Sequence, residues 1–398
     1  MRQGDNMKLH HGATSALALA TALMASQAGA IGLDRSNQDI TAIFEEGNVL
    51  ELSFGKVFPD ISGEDIRPEG SPLPNGDYDD VGDDFLNAST SVKMDFGNGF
   101  SGAVIIDQPF GADISYEGSP ATTMLGGTMA NLDSHAITAI GRYKFNENFS
   151  VHAGVRRETL EADIMLSGLA YGALNGYSVA LDESSANGFL VGAAYEIPEI
   201  ALRAALTYNS AVEHEFDTVE SLPVALQAGF SLPAQVASTT TVETPESWNL
   251  DLQSGVAQDT LVFANIRYAA YEDTLVSPRI FSTATGGASL TNIDDNYQMQ
   301  VGVGRKLSDM FAVQAAIGFE AEGDERISPL DPTNGKRWVS LGGAYTMETV
   351  TISGGIRYTM LGDANPETTN PFTGLPEDRA EFDDNSAVAI GMSVAYRF

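Results

Sequence analysis

The chain has 398 residues, a formal net charge of −33 and 43% hydrophobic residues: enough apolar material for one large domain or two ordinary ones, and too much for general disorder. So acidic a balance repels phosphate backbones and excludes nucleic acid as a partner. With no cysteine, disulfides, thiolate metal sites and a cysteine nucleophile are excluded as well.

At the amino end, MKLHHGATSALALATALMASQAGA opens at Met7 with Lys8 beside it, runs apolar from Ala16 to Ala25 and closes on Ala28-Gly29-Ala30. This pattern predicts a secretory signal peptide over residues 1–30, with Met7 as an alternative start after residues 1–6 and a mature chain from Ile31. No later stretch reaches about 18 uncharged apolar residues, which excludes a helical inner-membrane protein.

From Val49 onward the chain reads as alternating segments in pairs. An opening strand covers Val49 to Phe58. Paired segments follow, with short turns at Gly97-Asn98-Gly99, Asn146-Glu147-Asn148, Pro198-Glu199, Gln258-Asp259, Ser308-Asp309 and Met347-Glu348. A closing strand covers Ser386 to Phe398. The opposite connections are long, the third and fourth predicted over Asp163 to Ser185 and Glu213 to Thr244. An even count of about fourteen strands, with short turns at one end and long loops at the other, predicts an all-β fold: a transmembrane antiparallel β-barrel in a bacterial outer membrane.

Alternation assigns the faces. Phe149, Val151, Ala153 and Val155 are predicted to meet lipid, and Ser150, His152, Gly154, Arg156 and Glu158 the lumen, since a charge at the lipid midplane costs about 2–4 kcal/mol. In the last strand Val388, Ile390, Met392, Val394, Tyr396 and Phe398 share a face, which puts Tyr396 and Phe398 in the periplasmic aromatic girdle. A terminal Phe398 is also the feature that barrel-assembly machinery favours.

The segments LELSFGKVFPDISGE, FGNGFSGAVIIDQPFGADISY and ITAIGRYKFNENFSVHAGVRRETLEADI resemble the FadL/TodX family of outer-membrane transporters for long-chain fatty acids and other hydrophobic compounds. So do SWNLDLQSG, LVFANIRYAAYEDT, NYQMQVGVGRKLSDMFAVQAAIGF and the terminal AYRF, in the same order and with similar loop lengths. The resemblance implies a monomeric fourteen-stranded barrel closed by an N-terminal hatch, with a kinked third strand that opens the wall sideways to the membrane. The hatch would be residues 31–48, short and without the family's Asn-Pro-Ala element, and the barrel residues 49–398.

Four features bear on function. Two extracellular loops are apolar where loops are ordinarily polar: one carries Leu166, Leu169, Tyr171 and Leu174, the other Leu222, Leu226, Phe230 and Leu232. They match the loops of the family's surface groove, or they pack on each other as a lid. In the third strand Pro109, Phe110 and Gly111 break the ladder, either as a lateral exit or at the strand's outer end. Arg156 and Arg267 stand out among inward arginines as candidates for a carboxylate headgroup, against plain space-filling ion networks. Acidic clusters such as DYDDVGDD fail the calcium-loop pattern and suit divalent bridging of lipopolysaccharide or solvation. The histidines have no metal spacing and no nucleophile elbow occurs, so neither catalysis, metal nor cofactor is expected.

The sequence therefore predicts passive uptake of hydrophobic compounds such as long-chain fatty acids. Capture in the apolar loops is followed by transfer to a hatch pocket near Ile40, Ile43 and Phe44 and by lateral release at Pro109 to Gly111. The alternatives are a plugged structural or adhesive barrel and a porin for polar solutes.

Overall fold

The computed structural model describes residues 33–67, 70–323, 326–369 and 374–398. The expected signal peptide and the first two hatch residues lie outside them. Seventeen hydrogen-bonded segments form one sheet, and because three strands each come in two pieces, the sheet has fourteen strands. In chain order these are β1 (Val49–Asp60), β2 (Phe85–Gly97), β3 (Phe100–Asp107 and Ala112–Ser115), β4 (Met129–Lys144) and β5 (Phe149–Leu166). They continue with β6 (Tyr177–Ile197), β7 (Leu202–Asn209 and Val212–Ser221), β8 (Gln235–Thr244 and Ser247–Ala257), β9 (Thr260–Ala269) and β10 (Asn296–Lys306). β11 (Phe311–Glu320), β12 (Lys336–Met347), β13 (Val350–Leu361) and β14 (Ser386–Arg397) complete the sheet.

β14 pairs with β1 from Val49 opposite Arg397 to Asp60 opposite Ser386, so the sheet closes and no main edge is left unpaired. The short turns fall where the sequence places them, and several use a residue in the left-handed region: Asn98, Ala201, Asp259 and Glu348.

The faces follow the period of two. In β5, Phe149, Val151, Ala153 and Val155 face outward, whereas Ser150, His152, Arg156 and Glu158 are buried inside. Rings gather at the turn end: Phe100 on Tyr143 at 4.5 Å, Phe149 on Tyr195 at 4.8 Å, Phe311 on Tyr345 at 4.7 Å and Tyr396 on Phe398 at 5.8 Å. A second group, Phe189, Tyr208 and Trp248, lies farther up, as the two interfaces of a bilayer require.

Strands β5 to β8 run farther than the sequence predicts. Asp163 to Leu166, Tyr177 to Ser185, Glu213 to Ser221 and Gln235 to Thr244 are strand, not loop. Outward Arg157, Glu161 and Asp163 place this extension above the lipid, where the same ladder continues in water and its inner face can be apolar without meeting membrane. A short 3-10 segment (Leu169–Leu174) and two helices, α1 (Val224–Phe230) and α2 (Arg279–Thr285), cover it.

Candidate functional site

The N-terminal segment enters the lumen and is held there by a fully buried ion pair. Arg267 of β9 lies 2.7 Å from Asp34 and donates from Nη1 to Ser247 at 2.8 Å and to Asn249 at 3.0 Å. Asn37 and Gln38 are both in the left-handed region, a costly backbone for two successive non-glycine residues. Their groups are taken by the wall: Asn249 donates to the Asn37 carbonyl, Gln298 to Asn37 Oδ1, and Ser247 to Gln38 Oε1.

Below this anchor the hatch makes a 3-10 turn (Thr41–Phe44). Ile40, Ile43 and Phe44 pack on Ala103, Ile105, Ile140, Leu190, Ala194 and Ala205 of the wall. Phe44 lies between the guanidinium groups of Arg142 at 4.6 Å and Arg203 at 4.7 Å. The apolar trio thus fills the lower lumen. The space beside it has the polar Ser36, Asp39, Glu45, Glu51, Ser53 and Asp107 in its lining together with the apolar Ala42, Phe54 and Ile105.

β3 breaks between Asp107 and Ala112. Four of its residues, 108–111, face three of β4, 133–135, so the register shifts by one across the break. The broken piece turns into the lumen and pairs with the hatch: Arg35 N donates to the Pro109 carbonyl at 2.8 Å, and Gly111 N to the Leu33 carbonyl at 2.9 Å. Proline has no N–H to give to a ladder, and here its carbonyl serves the hatch strand instead.

The ladder between β2 and β3 ends at Thr90 opposite Ile106. Beyond it the wall is held by Asn87 donating to the Arg35 carbonyl at 3.1 Å and by Ala88 N donating to the Gln108 side chain at 3.0 Å. The Arg35 guanidinium stands here, 4.1 Å over the Phe85 ring and paired with Asp113 at 2.5 Å.

Above the anchor lies an apolar cavity. Leu160 and Ile164 of β5, Leu181 of β6, Phe216 of β7 and Val242 of β8 form its wall, with Phe110 and Leu33 below. A second cavity is lined by Arg35, Phe85, Asp113 and Lys336 and shares Leu33, Ala112, Leu330 and Asp331 with the first. Burial pushes the Asp331 carboxyl up to about 7, against the lowering pull of Lys336.

The residues singled out from the sequence are distributed over three places. Leu166, Leu222 and Leu226 are buried in the cluster that also holds Leu160, Ile164 and Phe216, with Tyr171, Leu174 and Leu232 packed against it. They roof the cavity and are absent from its immediate lining. Leu169 and Phe230 stay largely exposed on top. Phe110 lines the apolar cavity, Gly111 lines the second one, and Pro109, which precedes both on the broken strand, lines neither.

Arg267 is saturated by the hatch, and Arg156 Nε donates to Thr138 at 3.0 Å within the polar lumen, so neither faces the apolar cavity. The cavity's own walls escaped the sequence reading, yet their signal is plain in β5. Its inward positions are polar at Ser150, His152, Arg156 and Glu158, then turn apolar at Leu160, Ile164 and Leu166.

A family model described as outer membrane protein transport protein (OMPP1/FadL/TodX) matches residues 11–398. No curated protein matches the sequence. Among solved structures, a Pseudomonas aeruginosa FadL homologue superposes with a TM-score of 0.74 at 14% identity, covering 96% of this chain and 98% of that one. The Ralstonia pickettii toluene transporter TbuX gives 0.61 at 13% identity over 96% and 98%. The Pseudomonas putida toluene transporter TodX gives 0.59 at 13% over 92% and 97%. At such identities the likeness speaks for the fold.

Proposed function

Because the chain belongs to the OMPP1/FadL/TodX family of outer-membrane transport proteins, we propose that it brings hydrophobic compounds into the outer membrane passively by a lateral route. Solutes collect on exposed Leu169 and Phe230 and enter the apolar cavity below. They then pass Leu33 into the second cavity and leave through the wall beside Pro109 to Gly111 once Arg35 withdraws. The hatch is both floor and gate, and no chemical step is involved.

The observation that carries this reading is the pairing of the hatch with the broken strand. The residues that open the ladder at 108–111 are those that hydrogen-bond Leu33 and Arg35. Movement of the hatch would therefore unseal the wall. An isolated β-bridge between Asp34 and Phe110 adds to this coupling. A polar-solute porin fits less well, since the cavity above the hatch is apolar.

A long-chain fatty acid fits the same route with its chain in the cavity and its carboxyl group protonated, because no described residue lining the cavity is Lys, Arg or His. The names of the similar structures, which include toluene transporters, accord with small apolar cargo.

The absence of cysteine makes a clean test. Ser36 Oγ donates to Asp107 Oδ2 at 2.6 Å, so Ser36→Cys with Asp107→Cys can tether hatch to broken strand. Oxidised cells should lose uptake of a labelled alkane or fatty acid and regain it on reduction. Uptake unaffected by the closed tether would refute hatch-gated lateral release.

A further inference from the structure

Within the apolar cavity two hydroxyl groups have no partner. Tyr271 and Thr274 both line it and are 1% and 4% exposed, yet neither Tyr271 Oη nor Thr274 Oγ1 makes a hydrogen bond. They sit on one turn, closed by Thr274 N donating to the Tyr271 carbonyl at 2.8 Å and fixed by Thr291 Oγ1 donating to the Thr274 carbonyl at 2.7 Å. A buried hydroxyl left unpaired is costly, and an apolar wall offers it nothing. Two on one rigid turn are a polar foothold prepared for something that enters.

The charge around them limits what that can be. Among the described residues of the lining Asp331 alone is charged, and Asp34, whose Oδ1 is also unpartnered, acts electrostatically on Tyr271. Arg267 is the cation near Tyr271, and its donors are engaged by the hatch and the wall. An anionic headgroup would meet carboxyl groups without a free cation, whereas a neutral oxygen can accept from or donate to either hydroxyl.

We propose that the cavity is a binding site for an uncharged hydrophobic compound carrying one oxygen, such as an alcohol, a phenol or a ketone, with that oxygen bonded by Tyr271 and Thr274. The assignment rests on the transport reading and adds the substrate class to it. Specificity comes from the turn, while the aliphatic walls supply unselective affinity.

The test uses the full barrel in lipid nanodiscs and displacement of a fluorescent apolar probe by 1-decanol, decane and decanoate at pH 8. The Tyr271→Phe, Thr274→Val double variant keeps nearly the same shape, and partition into lipid cancels in the ratio of variant to wild type. The double variant is expected to lose about tenfold in affinity for 1-decanol, the size of one or two neutral hydrogen bonds, with decane unchanged. Wild type should bind decanoate more weakly than 1-decanol.

If decane binds but the double variant leaves 1-decanol unaffected, or if decanoate binds as tightly as 1-decanol, the substrate class is wrong and the apolar route stands. If the double variant loses both ligands alike, the turn supports the cavity's shape and gives no selectivity, which also overturns the assignment. If none of the three displaces the probe, the cavity is no ligand site and the transport reading fails with it.

Discussion

The Arg35 guanidinium occupies the space that a side chain at Gly111 would need: a Cβ built on Gly111 comes within 2.3 Å of it. The residue that lets β3 break is therefore also the one that admits the plug of the break. Gly111→Ala forces the guanidinium away from Asp113 and from the Phe85 ring, where it now spans the opening in the wall. The expected outcome is a leakier barrel, seen as faster entry of hydrophobic dyes and higher sensitivity to hydrophobic antibiotics. Arg35→Ala should give the same phenotype, and adding Gly111→Ala to it should change nothing further. Unequal or additive effects would mean that the two residues do not act on one seal.

The buried pair of Arg267 and Asp34 ties hatch to wall, and breaking such a pair from one side leaves an uncompensated charge, at a cost of about 3–5 kcal/mol. Arg267→Met should loosen the hatch, measured as faster proteolysis and hydrogen exchange over residues 33–48, while the β-ladder stays protected. Removing both charges with Asp34→Leu and Arg267→Met should restore much of the protection, because the desolvation penalty disappears with the attraction.

Asp331 gives a pH dependence with a definite sign. Its carboxyl is raised by burial to about 7, above the unfolded value of about 4, so the folded state holds its proton more tightly. The stability this lends is fully present below pH about 4 and is lost as pH rises through about 7. Thermal unfolding of the solubilised barrel should therefore shift downward between pH 5 and pH 8. Asp331→Asn should flatten that part of the profile, with its largest relative gain at pH 8. An identical profile in the variant would mean that Asp331 is not proton-bound in the folded protein.

The lipid face makes its own prediction. Val151 points outward on β5 between Phe149 of the lower aromatic group and Val155, which pairs with Phe189 of the upper one. Val151→Arg should destabilise the barrel by about 2–4 kcal/mol in lipid vesicles, read by urea titration, as a charge near the midplane does. Arg156→Lys, on the polar side, should cost far less.

The barrel was legible because its code is two-fold and redundant. Faces in β5, turns at Asn98 and Asp259, and the aromatic ends at Tyr396 and Phe398 each state the same architecture. The break at Pro109 to Gly111 was legible too, since proline and glycine mark it chemically. The site was harder to read. Arg267 carries the inward parity of a headgroup ligand, but its partner Asp34 lies 233 positions away, and nothing local announces that the two meet. Strands β5 to β8 outlast the membrane, and alternation alone does not say where lipid stops. Only the change from Arg156 and Glu158 to Leu160 and Ile164 marks the floor of the cavity. Tyr271 and Thr274 lie in a loop with no periodicity at all.

The roof separates collection from binding, and this yields the last prediction. In α1, Val224 is 78% exposed and Phe230 43% exposed, while Leu226 between them is buried in the cluster beneath. Two large apolar side chains held outward by a helix whose other face is pinned down form a sticky surface that water alone would not favour. If that surface gathers solute, its loss should slow arrival without touching the cavity. Val224→Asp with Phe230→Asp removes apolar contact equivalent to part of a buried side chain, so initial uptake at low solute concentration should fall by about threefold to tenfold. Affinity in the nanodisc displacement assay should stay where it was, because neither residue lines the cavity. Leu226→Asp, by contrast, puts a charge into the packed cluster and should weaken both uptake and binding. Equal losses of uptake and affinity in the exposed pair would show that α1 belongs to the binding site itself.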